Sequence, residues 1–127
     1  MGTCYKGGAT SYHSIKDNIS STANNYSYND GYFGDKGKAK NDYYRQIDCS
    51  DPVEESKKFY DIIAYGGIEK PMSNGKGFIT ELKDGTIISY REVTSTEGSP
   101  AVEINIKKST DTGGVKKQKI HFEKRKN

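Results

Sequence analysis

His121 stands inside a basic run near the end of the chain, Lys116-Lys117-Gln118-Lys119-Ile120-His121-Phe122-Glu123-Lys124-Arg125-Lys126. Imidazole is the side chain best suited to proton transfer near neutral pH. Clustered lysines are suited to phosphate. Together they point to proton-transfer chemistry, or binding, at a phosphate-bearing polymer such as RNA. The charge distribution agrees. From Glu103 onward eight Lys/Arg meet three acids, a local +5 within a chain whose formal charge is +3. Such a tail favours an anionic partner, although a solubilising terminus has the same composition.

Strand alternation sorts the neighbours of the histidine. In Lys117–Glu123, Ile120 and Phe122 read as core, so Lys119, His121 and Glu123 share the opposite face. In Ala101–Ile106, Val102, Ile104 and Ile106 point inward and Glu103 and Asn105 outward. In Ile87–Val93, Ser89 and Arg91 alternate with Ile88 and Tyr90. If these strands are neighbours, one face carries His121, Lys119, Glu103, Asn105 and Arg91. That set fits RNA cleavage without a metal. The reaction needs a base for the 2′-OH proton, an acid for the leaving 5′-oxygen and cations for the charge developing on phosphate. His121 and Glu103 are candidates for base and acid in either order. Arg91 and Lys119 are candidates to hold phosphate oxygens, the arginine as a bidentate fork. Tyr90 is a candidate to stack a base or supply an acidic hydroxyl.

The elements that must position these groups are legible in part. Asp51 can cap a helix, Pro52 suits its first position and Glu54 has capping-box-like spacing. Phe59, Ile62 and Ile63 give one apolar face, and Gly66-Gly67 ends the run. A helix over about 52–65 follows. After it the period becomes two. Gly75–Leu82 reads as a strand, Lys83-Asp84-Gly85-Thr86 as a hairpin turn and Ile87–Val93 as the return. A loop to Pro100, the strand Ala101–Ile106, a turn over Ser109–Gly114 and the strand Lys117–Glu123 complete an antiparallel sheet of about four strands. The expected class is α+β. Residues 1–50 differ: rich in Gly, Asn and Ser, holding seven of the ten tyrosines, with a weakly patterned helix near 11–23 and turn chemistry at Asn29-Asp30-Gly31. The expected division is an N-terminal region 1–50 and a functional domain 51–127.

Hydrophobic content of 31% and a mean hydropathy of −0.92 imply a small core, since about 45–50% is usual. No apolar run approaches the ~18 residues of a membrane span, and no signal-peptide core is visible. Cys4 and Cys49 form no CxxC pair, and His13 and His121 are the only histidines, so neither a metal site nor a cofactor is expected. Cys4 and Cys49 are compatible with a disulfide in an oxidising compartment, worth roughly 4 kcal/mol in the chain-entropy model, or with two free thiols. The P-loop spacing and the GxSxG elbow are absent.

Across residues 57–123 the ordered motifs carry a resemblance. Phe59-Tyr60, Gly66-Gly67, Gly75-Lys76-Gly77, Leu82-Lys83-Asp84-Gly85-Thr86, Ile88-Ser89-Tyr90-Arg91, Gly98-Ser99-Pro100-Ala101-Val102-Glu103-Ile104 and Lys119-Ile120-His121-Phe122 resemble the C-terminal toxin domains of bacterial polymorphic toxins. They look most like the contact-dependent growth inhibition (CdiA-type) toxins that cleave tRNA. The resemblance implies a barnase/EndoU/colicin/RelE-like ribonuclease fold and secretion or delivery from the producer's surface into the target-cell cytoplasm. It implies tRNA as substrate and a cognate immunity protein, with elongation factor Tu presenting the tRNA to some members. It maps the family histidine onto His121, its Tyr-Arg strand onto Tyr90 and Arg91, and its Gly-Ser-Pro turn onto Ser99. Lys119, Asn105, Ser99 and Lys76 form the expected substrate-binding set; His121, Arg91, Glu103 and Tyr90 form the catalytic one. Residues 1–50 match none of these motifs; by analogy they are a remnant of a cell-uptake region or an added helical layer. The alternative reading is a non-catalytic RNA- or protein-binding module using the same basic face. A DNase toxin is the third, disfavoured by the lack of an acidic or His-rich metal cluster.

Overall fold

A computed structural model describes residues 14–37, 40–73, 75–92, 99–107 and 115–125. Cys4, His13, Val93, Gly98 and the turn over 109–114 lie outside them.

Two helices cover one face of a sheet. Helix α1 spans Ile15–Thr22, with Ser14 as N-cap in a capping box with Asp17, which satisfies donors that a helix start leaves open. Helix α2 spans Pro52–Ile63, and Asp51 Oδ1 accepts from the Glu54 N–H at 3.2 Å. The expected start is observed; the end falls two residues earlier than expected. The two helices pack together through Asn18, which is 1% exposed. Its Nδ2 donates to the Ile63 and Tyr65 carbonyls at 2.8 and 2.9 Å. These are carbonyls at the end of α2 that have no partner further along the helix.

The strands are β1 (Tyr28–Asn29), β2 (Tyr32–Phe33), β3 (Asp35–Lys36), β4 (Tyr44–Cys49), β5 (Ile68–Pro71), β6 (Gly77–Glu81), β7 (Ile87–Arg91), β8 (Ala101–Asn105) and β9 (Lys117–Lys124). β1 and β2 form a small hairpin around Asp30-Gly31, both with positive φ, as the two-residue hairpin turn requires. The main sheet has seven strands in the order β3-β4-β9-β8-β7-β6-β5. The four expected strands are there, as the consecutive antiparallel run β6 to β9. The expectation of about four strands is corrected by three more.

Each of the three lacks a local signal. β4, Tyr-Arg-Gln-Ile-Asp-Cys, has one branched aliphatic residue, and it pairs in parallel with β9 at the far end of the sequence. β5 is exposed along its whole length and ends in Pro71, features of an edge strand. β3 has two residues and closes the opposite edge.

Phe33, Phe59, Ile63, Ile88, Val102, Ile104, Ile120 and Phe122 are fully buried in one cluster that also takes in Ile15, Ile19 and Cys49. Residues 14–49 and 51–125 therefore share a single core. Cys49 is a buried free thiol, and burial raises its pKa. On the core face of β9, Gln118 lies beside Ile120 and Phe122. Its Oε1 accepts from the Phe33 N–H at 2.8 Å and its Nε2 donates to the Gly31 carbonyl at 2.9 Å. These bonds fasten the β1–β2 hairpin to the last strand. Gln118→Leu leaves both buried backbone groups unpaired and is expected to destabilise the fold by roughly 2–4 kcal/mol, at about 1–3 kcal/mol per group. A urea melt checks this; an unchanged midpoint would mean the hairpin is held otherwise. Among the described residues no helix is long and apolar enough to cross a membrane.

Candidate active site on the open face of the sheet

The face turned away from the helices is arranged in rows set by strand register. One row runs Gly77, Arg91, Ala101, His121, Gln46. The next runs Ile79, Ser89, Glu103, Lys119, Tyr44. A third brings Asn105 opposite Lys117. Residues directly opposite each other on one face have Cβ atoms ~5 Å apart, so side chains separated by long stretches of sequence become neighbours.

A shallow depression of ≈ 110 Å³ opens between the two rows, lined by Ser89, Arg91, Ala101, Glu103 and Lys119. Its cause is a small residue. Ala101 stands between Arg91 and His121 in the first row, and a larger side chain there would fill the space. Gly77, on the other side of Arg91, has no room for a side chain: a Cβ would collide with the Tyr90 carbonyl oxygen.

His121 borders the depression across Ala101. Its Nδ1 lies 3.1 Å from Ser99 Oγ, a contact that fixes the ring's orientation. Ser99 is positioned in turn by the next residue, since the Pro100 carbonyl accepts from the Phe122 N–H at 3.0 Å. Glu103 is drawn toward the third row. Its Oε2 lies 3.4 Å from Lys117 Nζ and 3.5 Å from Asn105 Nδ2. Lys117 Nζ also sits 5.2 Å from the centre of the Tyr43 ring, which lies 4.6 Å from the Tyr44 ring. The hydrogen bond with Tyr43, followed by its charge, raises the pKa of Tyr44.

Arg91, Glu103 and Lys119 thus line one depression, with His121, Ser99 and Asn105 at its margin. Tyr90 does not join them. Its position in β7 turns it to the core face, where it is 3% exposed, its ring stacks 5.4 Å from Tyr60 and its hydroxyl lies 3.3 Å from Ser56 Oγ. Burial raises its pKa. A substrate on the open face cannot reach it, so its candidacy is withdrawn. Lys76 precedes β6, three strands from His121, or about 14 Å at the usual strand spacing, and does not line the depression. Ala101 has no reactive group to mark it in the sequence, and Ser89, although alternation puts it on the face of Arg91, has no spacing that sets it apart from other serines. Tyr43 and Tyr44 have no signal in the sequence because β4 lacks a strand pattern; Lys117 shares the face of Lys119 and His121 by alternation along β9, and its pairing with Glu103 is visible only in the structure.

A larger groove of ≈ 400 Å³ lies at the other end of β4, lined among others by Tyr26, Asp35, Asp48, Glu55 and Arg125. Three carboxylates against one guanidinium suit a polyanion poorly, so size alone does not identify the site. Among the described residues no group of three or more His, Cys, Asp or Glu side chains is placed to hold a metal ion. The chain matches no protein-family model, no curated protein and no solved structure, and the geometry of this face carries the functional reading.

Proposed function

We propose that the open face of the sheet binds RNA, most specifically tRNA, and cleaves it by metal-independent general acid–base transesterification. The observation that carries the proposal is the convergence of Arg91, Lys119 and Glu103 on one depression floored by Ala101, with His121 beside it. In the proposed step the 2′-oxygen attacks the adjacent phosphorus and its proton passes to a base. The bond to the 5′-oxygen breaks and that oxygen takes a proton from an acid. The products are a 2′,3′-cyclic phosphate and a 5′-hydroxyl end. His121 and Glu103 divide the two proton transfers. They are diagonal neighbours on β8 and β9, a relation that separates the two residues by about 7–8 Å, with the Cβ atoms somewhat closer, and the side chains can reach a phosphodiester from both sides. Arg91 and Lys119 hold the phosphate oxygens as charge develops.

The biological role proposed is that of an antibacterial toxin domain, secreted or delivered from the producer's surface and acting in the target-cell cytoplasm. A cognate immunity protein covers this face, and elongation factor Tu presents the tRNA. The support is the ordered motif set, several of whose members fall on β6 to β9 and border the depression. Purified protein is expected to produce discrete fragments from tRNA, alone in EDTA or with elongation factor Tu, GTP and magnesium; intact RNA under both conditions would overturn the proposal. The second reading, a binding module without catalysis, is favoured by the Tyr43–Lys117 contact and predicts binding that weakens steeply with salt and no new RNA ends. Ala101→Leu separates the depression from the charges around it. It fills the space without removing a charge and is expected to slow cleavage roughly 100-fold by displacing the phosphate, with the thermal midpoint little changed. Cleavage at the wild-type rate would show that the depression is not where the phosphate sits.

A further inference from the structure

We infer that Tyr43 and Tyr44 form a stacking platform for an unpaired nucleobase, with Lys117 and Lys119 holding the phosphates of the same strand. The inference rests on the RNA-binding reading and goes beyond it by naming a subsite outside the depression and the structural form of the substrate it takes.

Four observations carry it. The two rings lie 4.6 Å apart and 32° from parallel at the start of β4, and neither belongs to the hydrophobic core. Both are partly exposed. Lys117 Nζ stands 5.2 Å from the Tyr43 ring centre, and Lys119 is the register partner of Tyr44. The platform is also held in place, because the Tyr43 carbonyl accepts from the Lys119 N–H at 2.7 Å. Interleaved aromatic rings and lysines are the combination that single-stranded nucleic acid requires: bases stack on the rings and the backbone follows the cations. A duplex offers no free base face to such a platform, so the substrate segment is a loop or an end.

The platform adjoins the depression. Tyr44 and Glu103 share a row and are two strands apart, about 10 Å, so a base on the rings leaves a neighbouring phosphate near Arg91 and Lys119. Lys117 joins the two places directly, since the ammonium near Tyr43 is the one paired with Glu103.

The test measures equilibrium binding, at low salt, of a fluorescently labelled eight-nucleotide single-stranded RNA and of an abasic strand with the same backbone. The full chain carries His121→Ala to prevent turnover. The base-bearing strand is expected to bind about 10- to 100-fold more tightly than the abasic one. Adding Tyr43→Ala and Tyr44→Ala is expected to abolish that difference without weakening the abasic strand, and the corresponding phenylalanine pair is expected to retain it. Equal binding of the two strands, or a base preference that survives the alanine pair, overturns the platform and leaves the RNA reading standing. Failure of both strands to bind overturns both readings. A base preference lost in the alanine pair, in a protein whose unsubstituted form leaves RNA intact, supports the platform and overturns catalysis. The abasic comparison needs no tyrosine substitution, so the inference remains testable even if the alanine pair does not fold.

Discussion

Replacing His121 with alanine is expected to slow RNA cleavage by about 10²- to 10⁴-fold, the usual contribution of a positioned acid–base group, with little change in thermal stability. The separation of the two effects follows from the architecture of β9. His121 is on the open face and half-buried, while its neighbours Ile120 and Phe122 are fully buried on the other side. The strand is held by those two residues, by Gln118 and by pairing on both edges, to β4 and to β8. Loss of the imidazole therefore removes chemistry and the contact with Ser99 but leaves the anchor. Single-turnover cleavage of tRNA, set beside thermal melts of both proteins, measures the two quantities. Added imidazole is expected to restore part of the rate, because it can occupy the vacated space and carry the proton. A variant that cleaves like the wild type would remove His121 from the mechanism. One that is slow only because it is unfolded would show in the melt.

The second large effect is structural. Phe59→Ala is expected to destabilise the fold by about 3–5 kcal/mol. Phe59 is fully buried on α2, and three aromatic rings surround it: Tyr26 at 5.1 Å, Phe33 at 5.2 Å and Phe122 at 5.5 Å. Those rings come from the segment after α1, from the β1–β2 hairpin and from the last strand, so one side chain joins the N-terminal third to the sheet. Edge-to-face contacts add to the area term, about 0.5–1.5 kcal/mol for each pair. Domains have a total stability of about 5–15 kcal/mol, and a chain with 31% hydrophobic residues has few other places from which to recover the loss. Urea denaturation gives the number directly. A loss below about 1 kcal/mol would mean that the three rings close around the gap and that Phe59 is not the hub of the core.

The parts of the fold legible in the sequence are those whose determinants are local. Asp51-Pro52 and the spacing of Phe59 and Ile63 define α2. Asp84-Gly85 defines the β6–β7 hairpin, where Gly85 has a φ of +87°. The alternation of Ile88, Tyr90, Val102, Ile104, Ile120 and Phe122 assigns β7, β8 and β9 their faces, and with them the shared face of Arg91, Glu103, Lys119 and His121. What escaped has non-local determinants. β4 is a strand because β9 lies beside it, and its core face includes Arg45. The guanidinium of Arg45 bonds to the Phe33 and Gly34 carbonyls at 3.2 and 3.0 Å and lies over the Tyr32 ring, a tertiary arrangement that no alternation pattern encodes. Gln118 is similarly opaque, a polar residue at a core position that is satisfied by a hairpin far away in the sequence. Tyr90 is a different case. Its candidacy came from the family resemblance and its hydroxyl, whereas adjacency to Arg91 within one strand already forbids the two from sharing a face.

The terminal chemistry of the cut tests the central claim most directly. Wild-type protein is incubated with tRNA in EDTA and the new ends are identified, alongside the same tRNA carrying a single 2′-deoxyribose immediately 5′ of the cleaved bond. Transesterification by the His121 face predicts a 5′-hydroxyl and a 2′,3′-cyclic phosphate, and no cut at the deoxy-substituted position. A 5′-phosphate end, a cut that persists through the deoxy substitution, or RNA that remains intact both here and with elongation factor Tu, GTP and magnesium would contradict it.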